Sequence, residues 1–213
     1  MSKLAAMSVA LFAVACGPTG TVRIDTTLAE SESLARASQV GTTLEIPTIS
    51  GGVLALESVR IAVSELELEG DEDEEFETGE RVVDVALNRT PTEIVAQRVA
   101  AGSYRELGLE LMVGGIDEFG GPDPASIVAK GSFEGGSFTY RSTVAPELEF
   151  NLAQPVEVRE GAEARVAVTF DVAAWFMQNG TALDPRDPNN HAIIEQSILA
   201  SMAAHADVEL GDD

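Results

Sequence analysis

The stretch from residue 104 to residue 113 carries the cleanest two-residue alternation in the chain. Leu107, Leu109, Leu111 and Val113 stand on one parity, and Glu106, Gly108, Glu110 and Met112 on the other. Successive side chains of an extended strand point to opposite faces, so this pattern describes a strand with one face in a core and one in water. The period recurs along the chain. It appears in Val22 and Ile24, across residues 43–48, in Val59, Ile61 and Val63, in Leu66 and Leu68, and in Val83, Val85 and Leu87. It returns at 127–133 and 138–144, in Leu148, Phe150 and Leu152, in Val156 and Val158, and in Ala164, Val166, Val168, Phe170 and Val172. The phase slips near Ser64 and Glu65, which predicts a β-bulge or two consecutive strands. Glu134-Gly135-Gly136-Ser137 marks a hairpin turn. Parallel neighbours need crossover segments of a dozen or more residues, usually helical, and the pattern shows none between these strands. The expected fold is mainly β: an antiparallel β-sandwich of nine to eleven strands with a short C-terminal helix, with a closed β-barrel as the alternative.

Residues 1–15 stand apart from this pattern. Lys3 is followed by an uncharged run over residues 4–15, which as a helix reaches about 18 Å, well short of the roughly 30 Å hydrocarbon core of a bilayer. This predicts an export signal rather than a permanent span. The single cysteine, Cys16, directly follows Ala13-Val14-Ala15. The segment resembles the lipobox of bacterial lipoproteins, in which small residues precede a cysteine that receives a diacylglyceryl thioether and becomes the N-terminus. Ala13 stands where that pattern usually has Leu, and Ala13-x-Ala15 also fits ordinary signal-peptidase cleavage to a secreted soluble protein. The expected organisation is a lipoprotein signal peptide over 1–15 and lipidated Cys16 with a tether over 16–20. A β-sandwich follows over 21–172, then a C-terminal turn, loop and helix over 173–206 and an acidic, frayed tail over 207–213. The expected location is the cell envelope, held to a membrane through the lipid. The outer membrane is favoured, on its periplasmic face or at the cell surface, because Gly17 is not the Asp associated with inner-membrane retention.

Acidic residues outnumber basic ones 36 to 13, for a net charge of −23. Such a chain repels phosphate backbones, which excludes nucleic acid as a partner, and it gains nothing from anionic lipid surfaces. An acidic exterior also keeps an exported protein dispersed.

The densest charge is the run from Glu69 to Glu77, seven carboxylates in nine residues. Hard divalent cations, calcium above all, relieve such repulsion. Asp71, Asp73 and Glu75 are the candidate ligands there, and Asp184 and Asp187 form a second oxygen-rich place. An EF-hand counted from Asp71 would need Gly at Phe76 and Glu at Val82, so the register fails, and the plainer reading is a solvated hairpin loop. Any calcium bound there is expected to be weak, and no other cofactor is expected. His191 and His205 are about 21 Å apart on one predicted helix, too far to share an ion. The chain has no CxxC, HExxH, GxSxG or GxGxxG, so no catalytic residue and no nucleotide site are expected. Trp175 beside Phe176 reads as a core anchor rather than a sugar platform. Residues 173–178 suit a helical turn ending at Asn179-Gly180. Asp187 and Pro188 open a helix over 188–204 whose inner face carries His191, Ile194, Ile198, Met202 and His205. The expectation is a non-catalytic binding or structural role toward an envelope protein or surface ligand. The alternative is a calcium-dependent binder of a ligand or polysaccharide.

Several segments together resemble a family of Gram-negative envelope lipoproteins defined by a domain of unknown function. They are residues 54–68, the acidic loop, residues 76–87 (FETGERVVDVAL), Ala101-Gly102-Ser103-Tyr104-Arg105, and the late strand 166–172 with Trp175-Phe176 and the Asp-Pro loop. Gly79 comes one residue later than in that family, and the chain lacks the DxDxDG run that ends some of its members. The resemblance implies a sandwich of immunoglobulin-like or transthyretin-like type and no particular activity. The Ala101–Tyr104 stretch has its own physical reading: a tight turn at Gly102 delivers Tyr104 to the start of a strand, where its ring packs and its hydroxyl bonds a neighbouring loop.

Overall fold

The computed structural model describes residues 17–70, 75–88, 90–114, 119, 121, 123–204 and 208–211; for 75, 203, 204 and 208–211 it describes the backbone alone. One strand, β4 (Val53–Gly70), organises the larger sheet. Along one edge it pairs in turn with β3 (Thr43–Pro47), β6 (Arg81–Val85) and β5 (Glu75–Thr78). Along the other it pairs with β9 (Ile127–Phe133) and then β8 (Gly102–Leu111), all antiparallel. β2 (Ser38–Val40), β10 (Gly136–Ser142) and β11 (Glu147–Val158) extend this sheet by pairing with β3, β9 and β8. The smaller sheet has the order β15 (Val208–Gly211), β12 (Glu163–Phe170), β1 (Thr19–Leu28), β7 (Thr92–Ala100). The fold is a mainly β sandwich, and among the described residues neither sheet closes into a barrel.

β4 stays amphipathic over its 18 residues because two bulges correct its phase. Leu54 and Leu56 point inward; the register then skips at Glu57, and Val59, Ile61 and Val63 point inward; it skips again at Ser64, and Leu66 and Leu68 follow. Each extra residue flips the parity, which keeps the apolar set on one face. The inward rows run straight across three strands: Leu66 opposite Leu109 opposite Leu148, and Leu68 opposite Leu107 opposite Phe150. They share one continuous core with Val22, Ile24, Val166 and Val168 of the smaller sheet.

β1 pairs antiparallel with β7 but parallel with β12, from Thr21 opposite Glu163 to Leu28 opposite Phe170. The all-antiparallel expectation is corrected at this one pair. A parallel pair needs a long connection, and here it is the rest of the sandwich rather than a helix. Three smaller expectations also change. Thr19 and Gly20 belong to β1 rather than to a tether. β8 ends at Leu111, leaving Val113 43% exposed. Residues 208–211, expected to fray, run as an edge strand antiparallel to β12.

The chain passes from the smaller sheet to the larger one at Ala100–Gly102. There Tyr104, 1% exposed, donates its hydroxyl to Ala100 O at 3.0 Å. This is the bond back across a corner that fixes where a strand changes sheet. A second, small core lies on the outer side of the larger sheet. Phe119 covers Ala62, Ala125 and Val128, and Arg60 holds it by donating to its carbonyl at 3.1 Å.

α1 (Glu32–Arg36) is a short helix capped by Ser31. After β12, Asp171 caps α2 (Val172–Trp175) by accepting from Ala174 N–H at 3.0 Å. Trp175 and Phe176 are fully buried, with Trp175 edge-on to Phe170. Asn179 and Gly180, both at positive φ, then form the two-residue turn of a small hairpin, β13 (Met177–Gln178) with β14 (Thr181–Ala182). α3 (Pro188–Ala204) buries Ile194, Ile198 and Met202 against the sandwich. Among the described residues no helix is long and apolar enough to cross a membrane.

Tyr104→Phe keeps the ring and deletes the corner bond. It is expected to lower stability by about 1 kcal/mol in urea unfolding with an unchanged m-value.

Candidate functional site

The outer face of β4, β8 and β11 repeats the inner lattice in carboxylates. The three strands that present Leu and Phe inward present glutamate outward, because the parity between the Leu positions is filled almost wholly by Glu. Register sets Glu65 opposite Glu110 opposite Glu147, Glu67 opposite Gly108 opposite Glu149, and Glu69 opposite Glu106. These seven glutamates rim a shallow hollow of about 110 Å³ over Gly108, which has no side chain to fill it. Glu67 leans across, close enough that a Cβ on Gly108 would touch its own Cβ at 3.4 Å. Like charges directly opposite each other on a sheet repel, and cations in solution screen that repulsion.

The residues singled out from the sequence fall elsewhere. Cys16, Asp71, Asp73 and His205 lie outside the described residues, and only the backbone of Glu75 is described, in β5. Asp184 and Asp187 are both engaged in local structure. Arg186 donates to Asp184 from Nε, Nη2 and its backbone N–H, each at 2.9 Å. That guanidinium holds the Asp184 carboxyl below the usual carboxylate range and is itself held more firmly protonated in return. Asp187 caps α3 by accepting from the Asn189 N–H at 2.9 Å. Among the described residues no three His, Cys, Asp or Glu side chains converge on a point that would hold a metal ion.

No family model, curated protein or solved structure matches this chain. Its chemistry therefore has to be read from its own side chains.

One further polar cluster lies between α3 and β10. Tyr140 is 1% exposed, with Phe176 and His191 edge-on to its ring at 5.5 and 5.4 Å. Burial, and after it the negative charge of Glu195, pushes its hydroxyl above the usual phenol range, so it stays protonated throughout the physiological range. Ser142 lies beside that hydroxyl, off hydrogen-bond geometry, and donates instead to Glu195 Oε1 at 3.3 Å. Ser142 in turn is fixed through its carbonyl, which accepts from Ser126 Oγ at 3.1 Å. His191 Nε2 lies 3.1 Å from Pro185 O. The imidazole thus engages the Asp-Pro loop through Nε2 while its ring rests on Tyr140. The bonds within the cluster tie α3, β10 and that loop together.

The sequence reading missed the glutamate lattice because its members are scattered from 65 to 149 and only strand register unites them. The available signal was the Glu content of the polar parity in each of the three strands. Replacing Glu110, which faces a glutamate on each side, by Gln is expected to raise the melting temperature by about 1–2 °C at low ionic strength, with the gain shrinking as salt is added. Asp184 has the opposite sign. Because its native pKa is lowered, its stabilising effect is complete above the ordinary Asp range and is lost as pH falls through the lowered native value. Urea melts across pH should therefore show Asp184→Asn slightly less stable than wild type at neutral pH, with the two curves converging in acid.

Proposed function

We propose that this chain is a non-catalytic protein of the bacterial cell envelope. In this reading residues 1–15 are removed on export and Cys16 carries a diacylglyceryl anchor. The β-sandwich then acts as a binding or structural module toward an envelope protein or surface ligand. The observation that carries the reading is the chain's single cysteine, standing directly after an uncharged run that ends in Ala13-Val14-Ala15. The resemblance to envelope lipoproteins points the same way, and the first described strand, β1, begins at Thr19, three positions after Cys16. The binding role rests on the acidic sheet surface formed by the seven glutamates, which favours cationic over anionic partners.

Intact-mass measurement of the protein expressed in a Gram-negative host should find a chain beginning at Cys16 with the added mass of a lipid. Cys16→Ser should leave the sandwich folded and shift it from the membrane to the soluble fraction. A wild-type chain cut before Cys16 but lacking the lipid, or one that fractionates as the variant does, would overturn the anchoring.

A further inference from the structure

The chain leaves its candidate anchor with almost no slack. Only Gly17 and Pro18 stand between Cys16 and β1, and the fold already grips the second of them. Pro18 O accepts from Ala101 N–H at 2.9 Å, Thr19 O accepts from Gly161 N–H at 2.9 Å, and Thr21 N–H donates to Ala162 O at 2.8 Å. Gly20 lies so close to Arg159 O and the Val158 side chain that a Cβ there would overlap both. β1 is an interior strand, hydrogen-bonded on both edges, so it does not peel away to lengthen the tether. Two extended residues reach at most roughly 7 Å.

We propose that the end of the sandwich built from Gly17–Thr19, the Ala100–Ala101 corner and the Arg159–Ala162 turn lies directly against lipid headgroups, making the bilayer surface the partner of that end. The proposal rests on lipidation at Cys16. Exposed Arg98 and Arg159 share this rim with Glu77 and Glu160, so it is no basic patch. With the chain at −23, contact is imposed by the short tether and not by charge. It should therefore form on zwitterionic and anionic membranes alike and resist salt, unlike electrostatic adsorption. The orientation of the rest follows. β4 reaches the anchored end at Gly70, opposite Tyr104, and runs away from it. Lys130 is opposite Ser58, twelve positions back along β4, which places it about 40 Å from that end along the strand. The turns at 48–52 and Glu134–Gly135 lie farther still.

Lys130 is the only lysine after Lys3, so an amine-reactive fluorophore marks a single side chain of the mature lipoprotein. A second protein, Glu160→Lys with Lys130→Arg, moves the mark to the Arg159–Ala162 turn, and Lys130→Arg alone reports labelling of the terminal amine. In phosphatidylcholine vesicles doped with a headgroup nitroxide lipid, the probe at position 160 should lose most of its emission and the probe at 130 should keep nearly all of it. Adding salt or anionic lipid should leave this order unchanged. Inserting ten Gly-Ser residues between Gly17 and Pro18 should weaken the quenching at 160. Equal quenching at the two positions, the reverse order, or no effect of the insertion would overturn the proposal. Intact mass of the same preparation reports lipidation separately. If the lipid is missing, the lone Cys16 thiol coupled to a maleimide lipid gives the same comparison, and the geometry stands or falls independently of the anchoring reading.

Discussion

The phase of β4 is the constraint on which the larger sheet depends. Five strands bond to it directly, and three more attach through those five. Without the skips at Glu57 and Ser64, the even-numbered leucines of this 18-residue strand would share one face while Val59, Ile61 and Val63 turned to the other, into water. With both skips, Val59, Ile61 and Val63 join the face on which Leu66 and Leu68 meet Leu107, Leu109, Leu148 and Phe150. The bulges convert three short amphipathic runs of different parity into one continuous inner face, and they bend the strand so that its halves serve different neighbours.

The same register that builds the core builds the acidic exterior. Crossing rows of Leu on one face and of Glu on the other come from a single alternation read in three strands. The hydrophobic lattice stabilises roughly in proportion to the apolar area it removes from water, and the carboxylate lattice works against it through repulsion that salt screens. The balance favours folding because a buried leucine contributes more than an exposed like-charge pair costs. The hollow over Gly108 is thus a property of pairing, not of any one strand.

Much of this was legible from local pattern. The alternating positions at 66, 68, 107, 109, 111, 148 and 150 all face the core, and the slip at Ser64 is a bulge. Residues 188–204 form one helix, and Tyr104 bonds back across its corner. What local pattern could not supply is partner choice. Nothing near Thr21 or Glu163 encodes that they lie side by side in parallel, and nothing in Val208–Gly211 marks it as an edge strand. Two signals carry more than the two-residue period. Consecutive apolar residues at Ile61-Ala62-Val63 and Ile127-Val128-Ala129 indicate strands covered on both faces, and Phe119 supplies that cover. Asn179-Gly180 suits a helix stop but is equally a strong hairpin signal, and here it joins β13 to β14. For the candidate site, the sequence drew attention to the loop with the highest charge density, whereas the glutamates described as facing one another are distant in the chain.

The parallel pairing of β1 with β12 has a consequence for the order of events as the chain is made. A chain that emerges from its N-terminus delivers β1 before β12, so β1 waits with one edge open while the strands between them emerge. The larger sheet has all of its strands available before Glu163 arrives, and the smaller one does not. Closure of the sandwich is then a late, long-range step, of the kind that slows folding and leaves an apolar edge exposed in the interval.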